Sequence, residues 1–176
     1  MKNKKVLIGF IVAFIISLNI YNIPFKKDSV AATSNPEPKN NESEFNIEQF
    51  QTTLNQYVKE TKNLYDFDYV IVTFWATWCG SCHKENGIIN NFLKTNSRIL
   101  FIGLCVDKDT NALADYQKKN PLQFLSLNVT KDLAVFFDDI FAVPTHYIIN
   151  VNRKTKYKTM GILDETELNN ILRSSK

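Results

Sequence analysis

The sequence has little net charge, few cysteines and no internal repeats, and each shortage removes a class of function. Its 21 Lys and Arg against 18 Asp and Glu leave a formal charge of +3. That is too little to draw in nucleic acid, and no basic stripe with interleaved aromatics is present. Setting residues 1–45 aside leaves 15 basic and 14 acidic residues, so the remainder is close to neutral and its charge points to no partner. Three cysteines cannot all pair with one another. None of them stands near the end of the apolar N-terminal run, which argues against lipoprotein processing. The composition, 44% apolar and 22% charged, is that of a globular chain.

What is present begins with Val6 to Ile23, eighteen residues without a charge. A bilayer core takes roughly 20 helical residues, and the apolar region of a cleaved signal peptide is usually about 7–15. The small-residue stretch Val30-Ala31-Ala32 lies beyond Pro24, Lys26 and Lys27, far from the run. Residues 1–25 are therefore read as a cytoplasmic tip and an uncleaved transmembrane anchor, with a cleaved signal as the alternative. Lys2, Lys4 and Lys5 hold the N-terminus inside, and the rest of the chain is exported. Residues 26–45, rich in Ser, Asn, Pro and charge, read as a flexible linker. The folded domain is expected over 46–176.

Hydrophobic periodicity predicts that domain's elements. Asn46 and Gln49 resemble a capping box opening a helix whose apolar face is Ile47, Phe50, Leu54, Tyr57, Val58 and Tyr65. YVIVTFW (69–75) and RILFIGLCV (98–106) read as buried strands. A helix with the apolar stripe Ile88, Ile89, Phe92 and Leu93 lies between them. ALADYQKKN is a helix stopped by Pro121, FLSLNV a short strand or extended connection, and TKDLAVFFDDI a short helix. THYIINV (145–151) and KYKTMG form an antiparallel hairpin, and Asp164 with Glu167 caps a last helix. Alternating strands and helices predict an α/β fold: a central mixed sheet with helices on both faces.

Export gives the cysteines their meaning, because disulfides persist outside the cytoplasm. Cys105 sits among β-branched and apolar neighbours and reads as a buried small hydrophobe. Cys79 and Cys82 form C-x-x-C where a strand turns into a helix. At a helix N-terminus the unpaired N–H groups and the macrodipole favour a thiolate, so Cys79 is the candidate nucleophile. Cys82, one turn on, can resolve a mixed disulfide by attacking the Cys79 sulfur. With His83 the same letters spell C-x-x-C-H, a haem-attachment signature in which His83 would be the proximal ligand and Met160 or His146 the distal one. A buried strand that runs into the motif presents a reactive thiol rather than a haem crevice, and His83 then reads as solvated. His146 reads as a half-covered strand residue or, since it follows Pro144-Thr145, as a neighbour of the dithiol.

The segment WATWCGSCHKE, with FWATWC at the strand end, Glu85 three residues after Cys82, and Val143-Pro144-Thr145 ahead of a strand, resembles the thioredoxin fold. It is closest to the membrane-anchored TlpA/ResA/DsbE type, over roughly Asp68 to Ser174. The resemblance implies a thiol–disulfide oxidoreductase with catalytic Cys79, Cys82 and Glu85. It places Trp78, Gly80, Ser81, Val143, Pro144 and Thr145 on the substrate-binding surface, and gives Pro144 a cis peptide bond. Glu85 would accept the proton of the resolving thiol; the matching strand position of thioredoxin itself holds a buried Asp, and here it is Thr73. The departures are Gly80-Ser81, which lacks the common proline, and Gly87, where relatives often kink the helix with one. An N-terminal β-hairpin is also missing.

No cofactor beyond the Cys79–Cys82 dithiol is implied, and no metal. The resemblance points to a monomer on the extracytoplasmic (periplasmic) side of a bacterial cytoplasmic membrane. It would reduce disulfides in exported proteins such as apocytochrome c and be recharged by a membrane thiol transporter of the DsbD/CcdA type. A disulfide-forming oxidase is the first alternative, and a non-catalytic tethered binding module the other.

Overall fold

The strand YVIVTFW is β2, Tyr69–Trp75, and every residue in it is buried. A strand covered on both faces needs no polar alternation, which is why it reads as one continuous β-branched and aromatic run. It pairs in parallel with β3, Ile99–Cys105, and antiparallel with β5, Thr145–Asn150. Beyond β3 lies β4, Leu125–Asn128, in parallel; beyond β5 lie β6, Thr155–Met160, and the two-residue β1, Ser43–Glu44, both antiparallel. The sheet order is β1-β6-β5-β2-β3-β4. These relations come from a computed structural model, which describes residues 42–59 and 62–174. The predicted anchor over 1–25 and nearly all of the predicted linker lie outside the described residues.

Alternate residues of β2 feed two cores. Val70, Val72 and Phe74 face one layer with α1, Ile47–Leu54, and α4, Lys131–Ala134. Tyr69 and Ile71 face the other, with α2, Gly80–Phe92, and α5, Glu165–Arg173. A third cluster at the C-terminal end of β2 joins Trp75, both motif cysteines and Cys105 to Leu113 of α3, Ala112–Lys119. Helices thus cover both faces of a mixed sheet, as the sequence predicts. Gly103 of β3 has no room for a side chain: a Cβ would come within 2.8 Å of both Ser126 Oγ and Trp75 Nε1. The indole N–H donates to Ser126 at 3.0 Å across that gap, so the glycine lets Trp75 satisfy its one polar atom in the core.

Three boundaries differ from the prediction. Residues 26–45 were expected to be linker, but Ser43 and Glu44 pair with Lys156 and Thr155, and Phe45 is 3% exposed. The folded domain therefore starts by Ser43, not at 46. The predicted helix over 46–65 ends at Leu54. Gln51 closes it by bonding Asn55 and by accepting the Leu64 N–H at 2.7 Å, which turns the chain back. Tyr57 and Tyr65 then sit on the surface, their hydroxyls donating to Asp132 and Glu48; their spacing mimicked a buried face. The helix expected over 130–140 keeps only its first turn, α4, because Phe136 and Phe137 leave it to join the Phe45–Phe50 aromatic cluster. Both caps are present. The Asn46 side chain accepts the Gln49 N–H, and Asp164 with Glu167 makes a full capping box.

Candidate active site at the Cys79–Cys82 dithiol

The C-terminal end of β2 carries the chain into a tight turn in which Cys79 N–H donates to Ala76 O and Thr77 N–H to Asp107. Cys79 then caps α2: its Sγ accepts the Cys82 N–H at 3.1 Å, taking one of the four donors that a helix start leaves unpaired. Cys79 and Cys82 are joined as a disulfide, with Cα atoms 5.2 Å apart. The two sulfurs are not equivalent, since Cys79 retains 7% exposure and Cys82 has none. An incoming sulfur can reach only Cys79. Ser81 Oγ lies 3.2 Å from the Cys79 sulfur, and the Val143 carbonyl lies 3.8 Å from it.

Val143–Pro144 is a cis peptide, as the resemblance implies. Thr145 is buried and its hydroxyl donates to Ala142 O, while Gly161 N–H donates to Pro144 O. These bonds fix the loop so that the Val143 backbone faces the dithiol. Trp78 stands beside the site, 71% exposed, and Gly80 is exposed with open space where a side chain would be. Trp75 is wholly internal and packs in the cluster that holds both motif cysteines.

Glu85 is fully buried on α2, one turn past Cys82, so both side chains share the face turned to the sheet. Its Oε1 accepts the Leu163 N–H at 2.6 Å and lies 3.0 Å from His146 Nε2. Its Oε2 has no hydrogen-bond partner among the described residues. His146 corrects the sequence reading: it is 0% exposed rather than half-covered, because β5 lies between β2 and β6 and α2 covers its face. Its Nδ1 lies 3.0 Å from Thr73 Oγ1 and its Nε2 2.8 Å from Gly161 O. With both ring nitrogens engaged, His146 is removed as a haem ligand. Met160 is exposed on β6, and His83 donates from Nε2 to Thr77 O at 2.7 Å while lying against Tyr116. Sequence reasoning left His146 without a partner because Glu85 is 61 positions away; the pair becomes visible only through the register that sets Thr73 opposite His146.

Cys105 is buried, and its thiol donates to Asp107 at 3.2 Å. Burial pushes its pKa up to about 12. Since the folded value lies above the ordinary ~8.5, the stabilisation of the neutral thiol is complete below that pH and is lost as pH rises above it. Buried and held neutral, Cys105 should resist iodoacetamide at about pH 8 in the native protein and react once it is unfolded. Mass spectrometry of pulse-labelled protein checks this, and rapid native labelling would contradict it.

The thioredoxin family model matches residues 44–120. The thiol:disulfide interchange protein DsbE of Vibrio cholerae serotype O1 is 24% identical over 171 residues, spanning 90% of this chain and 86% of that one. A thioredoxin-family thiol:disulfide interchange protein from Chlorobium tepidum shares the fold at a TM-score of 0.56, with 22% identity over 64% of this chain and 81% of its own. StoA from Bacillus subtilis superposes at 0.52, with 20% identity over 60% and 82%. A C-x-x-C disulfide at the start of the helix that follows the central strand, a cis-proline opposite it and these likenesses agree with one another. The chain has a thioredoxin-like fold and the dithiol of a thiol–disulfide oxidoreductase, and it is similar to DsbE.

Proposed function

We propose that the protein reduces disulfides in exported proteins through Cys79 and Cys82, in the direction the sequence resemblance implies. The observation that carries this reading is a fully buried carboxyl, Glu85, one turn beyond the resolving cysteine. The Cys79 thiolate attacks a substrate disulfide, forming a mixed disulfide and releasing one substrate thiol. Cys82 then passes its proton to Glu85 and attacks Cys79, expelling the second substrate thiolate; the substrate gains two electrons and the dithiol loses them. A buried base serves this second step because Cys82 has no contact with water to take its proton. Trp78, Gly80, Ser81 and the Val143-Pro144-Thr145 loop form the surface on which an extended substrate segment lies, its backbone against Val143.

In this reading the predicted N-terminal helix ties the domain to the outer face of a bacterial cytoplasmic membrane. Substrates are disulfide-bearing exported chains, apocytochrome c among them, and a thiol transporter of the DsbD/CcdA type returns the dithiol to its reduced form. The chain runs from β3 through α3, β4 and α4 to β5 without an inserted helical domain, which supports reduction over disulfide formation. The reduction potential, measured together with the redox state of the pair in cells, tests the direction. A mostly reduced pair with a potential well below about −180 mV is expected. A fully oxidised pair near about −120 mV would mean that the enzyme makes disulfides instead.

A further inference from the structure

The sheet supplies Glu85 with a partner that the dithiol mechanism does not by itself require. His146 and Thr73 are directly opposed on β5 and β2, both on the face covered by α2, and both are buried. The hydrogen bonds fix the imidazole. Gly161 O and Glu85 Oε1 can only accept from Nε2, so Nε2 carries a proton. Nδ1 meets the Thr73 hydroxyl, which can give or accept a hydrogen bond as required. The ring is thereby locked with one N–H aimed between the Gly161 carbonyl and the carboxylate.

On the carboxylate, the two oxygens are treated differently. Oε1 takes the Leu163 N–H and faces His146; Oε2 is buried with no partner among the described residues. An unpartnered buried carboxylate oxygen is costly to keep, and structures retain such a group where chemistry uses it. On the face covered by α2 the ionisable side chains are Cys79, Cys82 and Glu85 at the helix, Tyr69 of β2, His146 of β5 and Tyr157 of β6. Lys156 and Lys158 of β6 lie over Tyr147, on the opposite face of the sheet.

We propose that His146, held by Thr73, is a positioning residue for the resolving step: it occupies Oε1 of Glu85 so that Oε2 is left free to take the proton of Cys82. This rests on the oxidoreductase reading and holds for either direction, since the same proton is returned when the step runs backwards. In the forward step the Cys82 S–H bond breaks, its proton goes to Oε2, and the thiolate forms the Cys79–Cys82 bond. The electron pair of the broken mixed disulfide leaves on the substrate sulfur.

The test uses the full chain, reduced, and an aromatic disulfide whose released thiolate is coloured and leaves without needing a proton. Cys79 attack releases one thiolate and Cys82 resolution a second, so the second release isolates proton removal from Cys82. Glu85→Gln should slow the second release about 100-fold near neutral pH. It should recover as pH approaches the ordinary thiol range. His146→Leu should slow it about 10-fold with the same recovery, while His146→Gln, which keeps a donor near the position of Nε2, should restore most of the rate. The double variant Glu85→Gln/His146→Leu should be no slower than Glu85→Gln alone, because His146 acts only through Glu85.

Thr73→Val, which preserves shape, should move the pH profile in the same direction as His146→Leu and covers the case in which the latter fails to fold. A wild-type pH profile in His146→Leu or in Thr73→Val, or losses that multiply in the double variant, would overturn the proposal. If the wild-type chain releases only one thiolate, the oxidoreductase reading itself falls.

Discussion

Replacing Cys79 with serine should eliminate disulfide exchange, a loss of at least about a thousandfold, since a hydroxyl at ordinary pH offers no equivalent of the thiolate that attacks sulfur. The structure gives reasons that this sulfur, and not its neighbour, carries the first step. Cys79 is the member of the pair with exposed surface, and its sulfur takes the Cys82 N–H at the open end of α2. Cys82→Ser has a different signature: attack still occurs, resolution does not, and the substrate stays on Cys79 as a mixed disulfide. Non-reducing mass spectrometry after exposure to a disulfide-bonded peptide separates the two. Retained turnover in the Cys79→Ser chain would refute the assignment of nucleophile, and an in-cell phenotype that survives it would favour a binding module.

Phe45→Ala should destabilise the domain by about 3–5 kcal/mol, although residue 45 falls in a segment that reads as linker. Its ring lies 5.5 Å from Phe50, edge-on, and 6.0 Å from Phe137, stacked, with the Lys156 ammonium 5.8 Å away. The backbone is equally engaged, as Phe45 N–H donates to Lys154 O at 2.8 Å. Truncation therefore removes a large buried area and an aromatic cluster member while leaving the dithiol untouched. Urea unfolding followed by tryptophan fluorescence measures it. A change within about 0.5 kcal/mol, ordinary for a surface residue, would show that the domain begins after Phe45.

What the sequence showed and hid follows from how local each signal is. The strand YVIVTFW, the motif, the Asp164 capping box and the mixed sheet are written in contiguous residues, and each is where the pattern puts it. Strand β1 was invisible because two residues give no alternation to read; only their partners on β6, more than a hundred positions on, make them a strand. The aromatic spacing of Tyr57 and Tyr65 misled because tyrosine can spend its ring at the surface when its hydroxyl finds a carboxylate. Cys79, Cys82, Glu85 and Pro144 were legible from their motifs. The burial of His146 was not, as it depends on a register between β2 and β5 and on a helix laid over both.

The pairing of β1 along β6 also divides that strand in two. Ser43 and Glu44 pair with the first residues of β6, Lys156 and Thr155, whereas the last, Met160, is level with Thr145 beside the cis-proline loop. Five residues of strand separate those levels, roughly 17 Å at about 3.3 Å each. Because the pair is antiparallel, β1 runs from the Lys156 level at Ser43 to the Thr155 level at Glu44, away from the pole that carries the sulfurs. Among the described residues β1 thus braces β6 only at its Thr155 end, and the outer edge of β6 beside the cis-proline loop is unpaired.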